Sequence, residues 1–201
     1  MPSVTGTTER GDRTRHALLA AARARFANDG FRRTSVADIS RDAGVGDTTA
    51  YVHYPNKEAL FFAAVDDDLT SLFEELSIAL AAGDGPTGLL ATVLGTIGHH
   101  PLAERLLAGL EPDFTSRVLE TPAFGDLRRG VATVLADRQR EGTVRGDVSA
   151  SDLADGVVAT VVASAMATVQ IGDSVLETFG DGLAAMFEVV LTPDPRLPGP
   201  G

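Results

Sequence analysis

Residues 34–60 read TSVADISRDAGVGDTTAYVHYPNKEAL, and this stretch decides the fold. It describes a helix, a tight glycine-bearing turn, a second short helix and a proline stop. Ser35 stands where an N-cap belongs, with Asp38 three residues on, the spacing of a capping box. Val36, Ile39 and Ala43 recur at i, i+3 and i+7, an apolar stripe directed at a core. Gly44 gives the turn its conformational freedom, and Ser40 is small enough to let two helices cross closely. The second helix runs from about Asp47 to Tyr54 and stops before Pro55, because proline disfavours helical geometry in the residue ahead of it. Its surface carries Thr48, Thr49, Tyr51 and His53: hydroxyls, a phenol and an imidazole, groups suited to DNA phosphates and base edges. The unit reads as a helix-turn-helix with a recognition helix.

Working outward, a helix from about Arg13 to Ala27 carries the core stripe Leu18, Leu19, Ala22 and Phe26, with Arg15, Arg23 and Arg25 outside it. Gly30 followed by Phe31 reads as a C-terminal cap with a hydrophobic tuck. Residues 13–55 thus form a three-helix DNA-binding domain, preceded by a polar arm, 1–12, expected to be disordered. A long helix from near Asn56 to Ala82 begins beside that domain and ends in a second one, the placement of a lever. Its runs Asp66-Asp67-Asp68 and Glu74-Glu75 read as solvated faces. Helical segments follow near 86–99, 101–110, 112–120, 123–141, 151–171 and 174–192. No strand pattern or internal repeat is evident. The fold class is all-α, with an N-terminal helix-turn-helix domain, a helical regulatory and dimerisation domain over 56–192, and a tail, 193–201, unstructured by composition.

The net charge of −11 argues at first against nucleic acid, but it is unevenly spread. Residues 1–65 hold nine basic and seven acidic side chains, a balance of +2; the remainder hold eight and 21, a balance of −13. That asymmetry suits a DNA-reading end on an acidic body. The sole lysine, Lys57, falls in the first turn of the lever helix, where a cation opposes the helix dipole by ~0.3–1 kcal/mol and a bound phosphate would relieve the conflict. Cysteine is absent, so disulfides and thiol chemistry are excluded. The first residues lack the apolar core of a signal peptide, and the longest apolar stretch, Val157 to Val169, falls short of the ~18–20 residues that span a bilayer. A cytoplasmic protein without a membrane partner is expected.

Thr34, Ser35, Val36, Asp38, Ile39, Ala43, Gly44, Val45, Thr49, Tyr51, His53, Pro55, Lys57, Glu58, Ala59 and Leu60 together resemble the TetR-like (tetracycline-repressor-type) bacterial transcriptional regulators. The resemblance covers about residues 13–62 and is architectural beyond. Gly46 stands where serine is usual, Thr48 where a small residue is, Ala50 where leucine is frequent and Tyr54 where phenylalanine is. Asp47 has two readings: it takes over the cap that serine would supply, or it accepts from a cytosine amine. The resemblance implies a ligand-responsive repressor that binds double-stranded DNA at a palindromic operator. On that basis Thr34, Ser35, Thr48, Tyr51 and Lys57 are candidates for phosphates, and Asp47, Thr48, Thr49 and His53 for base edges, with Gly46, which lacks the hydroxyl of the usual serine, in the same DNA-binding set.

The same resemblance implies a homodimer and a small-molecule effector. Ala159, Ala163 and Ala167 recur every four residues, and Leu176, Phe179, Leu183, Phe187 (or Met186) and Val190 follow near-heptad spacing. Periodicity alone fits internal core equally well; the resemblance selects a dimer interface. Phe73, Leu90, Leu94, His99, Leu107, Phe114, Phe124 and Met166 are candidates to line a pocket, though each also fits ordinary core. His99 and His100 lack metal-ligand spacing and read as structural or pocket-lining. No phosphate loop, GxSxG elbow or nucleophile-base pair names a catalytic residue, and no cofactor is implied. Two rival readings stay open: a ligand-binding module with degenerate DNA binding, and an enzyme on a helical scaffold.

Overall fold

The structure, a computed structural model, describes residues 4–82 and 85–193. Helices α1 (Val4–Arg33), α2 (Val36–Asp42) and α3 (Asp47–His53) form the N-terminal unit. The lever, α4 (Lys57–Ala82), leads into α5 (Gly85–Thr96), a 3-10 turn at Ile97–His99, α6 (Pro101–Leu107), α7 (Thr115–Val118), α8 (Pro122–Arg140), α9 (Ala150–Ile171) and α10 (Ser174–Leu191). No strand occurs among the described residues.

Helix α4 is the spine: it packs on α1 at one end and on α5, α6, α7 and α8 along its length. Helix α9 is the second axis, packed against α5, α6, α8 and α10. By length and composition α9 is apolar enough to cross a membrane, which corrects the shorter span counted from Val157 to Val169. Here it serves as a core helix, burying Leu153, Val157, Val158, Val161 and Ala165.

Helix α1 begins at Val4, inside the segment expected to be a disordered arm. Nothing after Pro2 forbids helix there, since Thr, Glu and Arg are tolerated and only Gly6 and Gly11 weaken it. The run is broken at Gly30, whose φ of 77° ends the regular helix as the Gly30–Phe31 cap requires. The expected unstructured tail lies outside the described residues from 194 on, as do Gly83 and Asp84 at the α4–α5 junction.

The aspartates of α4 are the largest departure from expectation. They are not a solvated face. Asp66 accepts from the Ala123 amide (2.9 Å) at the start of α8, and Asp68 accepts from the Leu102 and Ala103 amides (2.9 and 3.0 Å) at the start of α6. Asp67 pairs with Arg23 of α1 at 3.3 Å. Both α6 and α8 open with a proline after a residue that makes no side-chain cap, so their orphan amides take a cap from α4 instead. Three successive carboxylates therefore tie the spine to three other helices. Asp68 is only 1% exposed, and burial pushes its carboxyl above the usual carboxylate range against the pull of the two amides, His100 and Arg23. Glu75 is likewise engaged, facing buried His100 at 3.3 Å.

Candidate DNA-reading surface and regulatory cavity

Helix α2 is fixed as its sequence demands. The Ser35 hydroxyl accepts from the Asp38 amide (3.1 Å) and donates to the Asp38 carboxylate (2.6 Å). This bond, with Arg41 beside it, holds the Asp38 carboxyl below its usual range. Val36, Ile39 and Ser40 are buried, and the turn closes through Gly44 at φ 65° with the Val45 amide donating to the Ser40 carbonyl (2.9 Å). That turn delivers α3 with a single buried residue, Ala50. Gly46, Asp47, Thr48, Thr49 and Tyr51 are exposed and His53 is half-buried. Val52, 79% exposed, belongs to the same surface and carries methyl groups of the kind that meet a thymine methyl. Sequence reading passed over it because it is apolar; its placement off the Ala50 face was the available signal.

Three candidates sit differently from expectation. Thr34 is buried, and its hydroxyl donates to the Gly30 carbonyl at 2.8 Å, so it locks the end of α1 rather than facing a phosphate. Asp47 is the first residue of α3 and makes no cap; Gly46 occupies the N-cap without a side-chain bond. The carboxylate thus stands in the first turn, where the helix dipole favours it. The Lys57 ammonium donates to the Phe31 and Thr34 carbonyls (2.9 and 3.0 Å) and lies 4.3 Å from the Phe31 ring centre. Two of its three donors are committed to the end of α1. Asn56 caps α4 by accepting from the Ala59 amide at 2.8 Å.

The basic side chains of this unit are largely neutralised. Arg25 bonds Asp42 and Asp29, Arg41 bonds Asp38, Arg32 bonds Asp113 and Arg23 bonds Asp67. Asp67 and Asp113 lie beyond residues 1–65, so these two pairings offset part of the modest +2 balance.

The junction between the two domains rests on an aromatic cluster and a clasp. Phe114, a pocket candidate, instead packs on Phe31 (4.6 Å between ring centres), Phe61 (5.0 Å) and Phe62 (5.7 Å). Beside it, Arg105 of α6 donates to the Glu111 carboxylate (2.8 Å) and to the Ala27 carbonyl (3.3 Å), while Glu111 accepts the Phe31 amide (3.0 Å). The positive φ favours glycine at position 30, and a side chain there would also displace the ends of Arg105 and Glu111. Nothing in the local sequence announced this clasp, since its partners lie 78 and 80 residues apart.

A cavity of about 480 Å³ opens between α4, α5, α6, α7, α8 and α9. Of the pocket candidates, Phe73, Leu107, Phe124 and Met166 line it. Leu90 is buried in core and Leu94 packs beside it, neither on the cavity wall; a shift of one residue position, about 100° around the helix, gives the wall to Leu89 and Val93 instead. His99 is exposed in the 3-10 turn, and its neighbour His100 is the buried one. The sequence reading also missed Leu69, Leu72, Val131 and Val161.

At the far end, Ala159, Ala163, Phe179 and Val190 are exposed, while Ala167, Leu176 and Leu183 are half-buried. Phe187 is buried within the subunit, which corrects its place in a dimer interface: with Leu176, Leu183 and Leu191 it forms the inner stripe of α10. The outer stripe is Phe179 (67% exposed), Gly182, Met186, Val189 and Val190.

Comparison with known proteins agrees with this geometry. The profile of bacterial regulatory proteins, tetR family, matches residues 18–64. Over these residues the chain is similar to the TetR family. It is 28% identical over 145 residues to the HTH-type transcriptional repressor AcnR of Corynebacterium jeikeium, covering 68% of this chain and 71% of AcnR. It is 27% identical over 168 residues to the HTH-type transcriptional regulator TtgR of Pseudomonas putida, covering 77% and 80%. Thermus thermophilus FadR, a TetR-family repressor solved with lauroyl-CoA, superposes with a TM-score of 0.61 at 25% identity over 92% of this chain and all of FadR. A TetR-family protein from Rhodococcus reaches 0.66 at 20% identity over 90% of this chain and 100% of its own, which shows the shared fold. These matches support a DNA-binding transcriptional regulator of the TetR type.

Proposed function

We propose that this regulator is a cytoplasmic homodimeric repressor that reads a palindromic operator with α3 and leaves it when an effector fills the cavity. The observation that carries the reading is α3 itself, a seven-residue helix with one residue buried. A helix that gives almost nothing to its own core is built to contact something else. Thr48, Tyr51 and Ser35 are assigned to phosphates, and Asp47, Thr49, Val52 and His53 to base edges. Gly46 lets the backbone approach the groove closely, and Lys57 reaches a phosphate with its remaining donor.

The outer stripe of α10 supports the dimer. A helix apolar on both sides needs a second cover, and Ala159 and Ala163 on α9 leave room for a close approach. A two-fold pair places the recognition helices about one helical turn of DNA, ~34 Å, apart. Coupling runs through residues 105–112. Leu106, Leu107 and Pro112 face the cavity, while Arg105 and Glu111 grip the end of α1. An effector that displaces the cavity side of that segment displaces the grip, and with it the DNA-binding unit, as a shift between two populated states.

The test is selection of bound fragments from the source genome by purified protein at moderate salt, with footprinting of the winners and sedimentation to fix the stoichiometry. A palindromic footprint occupied by one dimer upholds the reading. A folded protein that enriches no sequence supports instead a ligand-binding module with degenerate DNA binding.

A further inference from the structure

The cavity carries a chemical signature. Its wall is apolar throughout, with only the hydroxyls of Thr115 and Ser116 for polarity and no charged side chain. The Thr115 hydroxyl already donates to the Glu111 carbonyl (3.2 Å), so what it offers a ligand is acceptor capacity. Among the lining residues Pro112, Ser116 and Leu119 are exposed, which places the mouth on the α6–α7 side. The chain neighbours of that rim include exposed Asp113 and Glu120. The cations nearby are committed: Arg117 to Glu58 and the Phe62 ring, Arg32 to Asp113, Arg105 to Glu111.

From this we infer that the effector is an electrically neutral, largely apolar molecule with at most one or two hydroxyl-like groups, and that coenzyme A thioesters are excluded. The inference rests on the cavity being the effector site. A volume of 480 Å³ holds on the order of 15 non-hydrogen atoms at liquid density. An anion inside loses hydration worth several kcal/mol with no counter-charge to replace it. An anionic headgroup left at the mouth meets Glu120 and an Asp113 already paired with Arg32, and recruiting Arg117 or Arg105 breaks a bond that holds the domain junction. FadR binds lauroyl-CoA on the same fold, so the two chains differ in effector class within one architecture. A cationic ligand gains from the acidic mouth but finds no carboxylate on the wall.

The full-length protein is titrated with two fluorescent probes of one skeleton, neutral N-phenylnaphthylamine and the anionic anilinonaphthalene sulfonate. Bound N-phenylnaphthylamine is then displaced with dodecanol, dodecanoyl-CoA and dodecyltrimethylammonium. The neutral probe binds at least about tenfold tighter than its sulfonate, and dodecanol displaces it at concentrations about tenfold lower than either charged compound. Val161→Trp fills the cavity and abolishes binding. Because that variant risks misfolding, Leu119→Trp at the exposed rim is measured beside it and weakens binding with unchanged circular dichroism. Ser116→Arg raises affinity for the sulfonate severalfold relative to the neutral probe. Equal or tighter binding of a charged compound, still abolished by Val161→Trp, overturns the neutral class and leaves the effector site in place. Binding of any probe that ignores both tryptophan variants, or no binding at all, removes the site and the inference with it.

Discussion

Helix α3 and the aspartate run of α4 look alike as sequence, two short polar stretches on helices, yet they behave oppositely in the fold. Every candidate on α3 lacks a side-chain partner that its own helix needs, and six of its seven residues escape burial. Asp66, Asp67 and Asp68 are each claimed by another helix. Thr34 and Thr48 repeat the contrast with one residue type: the first is 4% exposed and bonded to Gly30, the second is exposed. Polarity therefore does not separate a ligand-binding surface from a structural tie. Whether an internal partner exists does.

The sharpest way to break that contrast is Asp68→Ala. It strips two buried amides of their acceptor, which costs about 2–4 kcal/mol in urea unfolding. The companion Asp68→Asn keeps an acceptor and removes the titration. Since burial raises the native carboxyl above its unfolded value, its contribution is present at pH below the ordinary carboxylate range and is lost as pH rises through the raised value. Wild-type stability should therefore fall relative to Asp68→Asn across that window. A difference that is flat or grows with pH contradicts a buried, elevated carboxyl.

On the reading helix the effects should appear in binding alone. Tyr51, 52% exposed, can be cut to alanine with little change in melting temperature and roughly a tenfold or greater loss of operator affinity, about 1.4 kcal/mol or more. The threonines then divide. Thr34→Val lowers stability by about 1 kcal/mol through its lost bond to Gly30, and the folded fraction binds normally. Thr48→Val leaves stability alone and weakens DNA binding. If Thr34→Val changed affinity at constant stability, the division by internal partner would fail.

The parts of the molecule legible in sequence are those whose cause is local. Capping at Ser35, the stripe Val36–Ile39, the Gly44 turn and the stop before Pro55 each depend on residues within a turn or two, and each stands in the structure. The helices of the second domain were placed to within a few residues by their Gly and Pro punctuation. What could not be read was pairing at long range. The Asp68 cap on α6 joins residues 34 and 35 apart, and the cavity wall depends on the rotation of α5, where a shift of one position exchanges Leu90 for Leu89. Phe114 went astray for the same reason: an aromatic in a loop fits a pocket or a junction until its neighbours are known.

Lys57 sits between the two classes, which makes it the informative intermediate. Its two carbonyl bonds make it a tie; its third donor makes it a candidate for a phosphate. Lys57→Ala should lower stability by about 1 kcal/mol from the lost bonds. If the third donor reaches DNA, the plot of log affinity against log salt also flattens by about one unit per subunit, equally for all sequences. A stability loss with an unchanged salt slope assigns Lys57 wholly to the junction.

The smallest change tests the helix start. Gly46 adopts φ −70° and ψ 144°, a conformation open to any residue, and a Cβ there meets nothing nearer than the Thr49 hydroxyl at 4.0 Å. Gly46→Ser therefore fits without strain and supplies a hydroxyl to the uncapped amides of α3. Serine exceeds glycine at an N-cap by only a few tenths of a kcal/mol, a shift near the limit of a careful denaturation series. The binding consequence is the more telling one. If close backbone approach is what Gly46 provides, the added hydroxymethyl weakens the operator complex although it steadies the helix. If instead the position merely lost a phosphate contact, the same variant binds more tightly, and stability and affinity rise together. Opposite signs would mark Gly46 as part of the reading surface; equal signs would make it a missing cap.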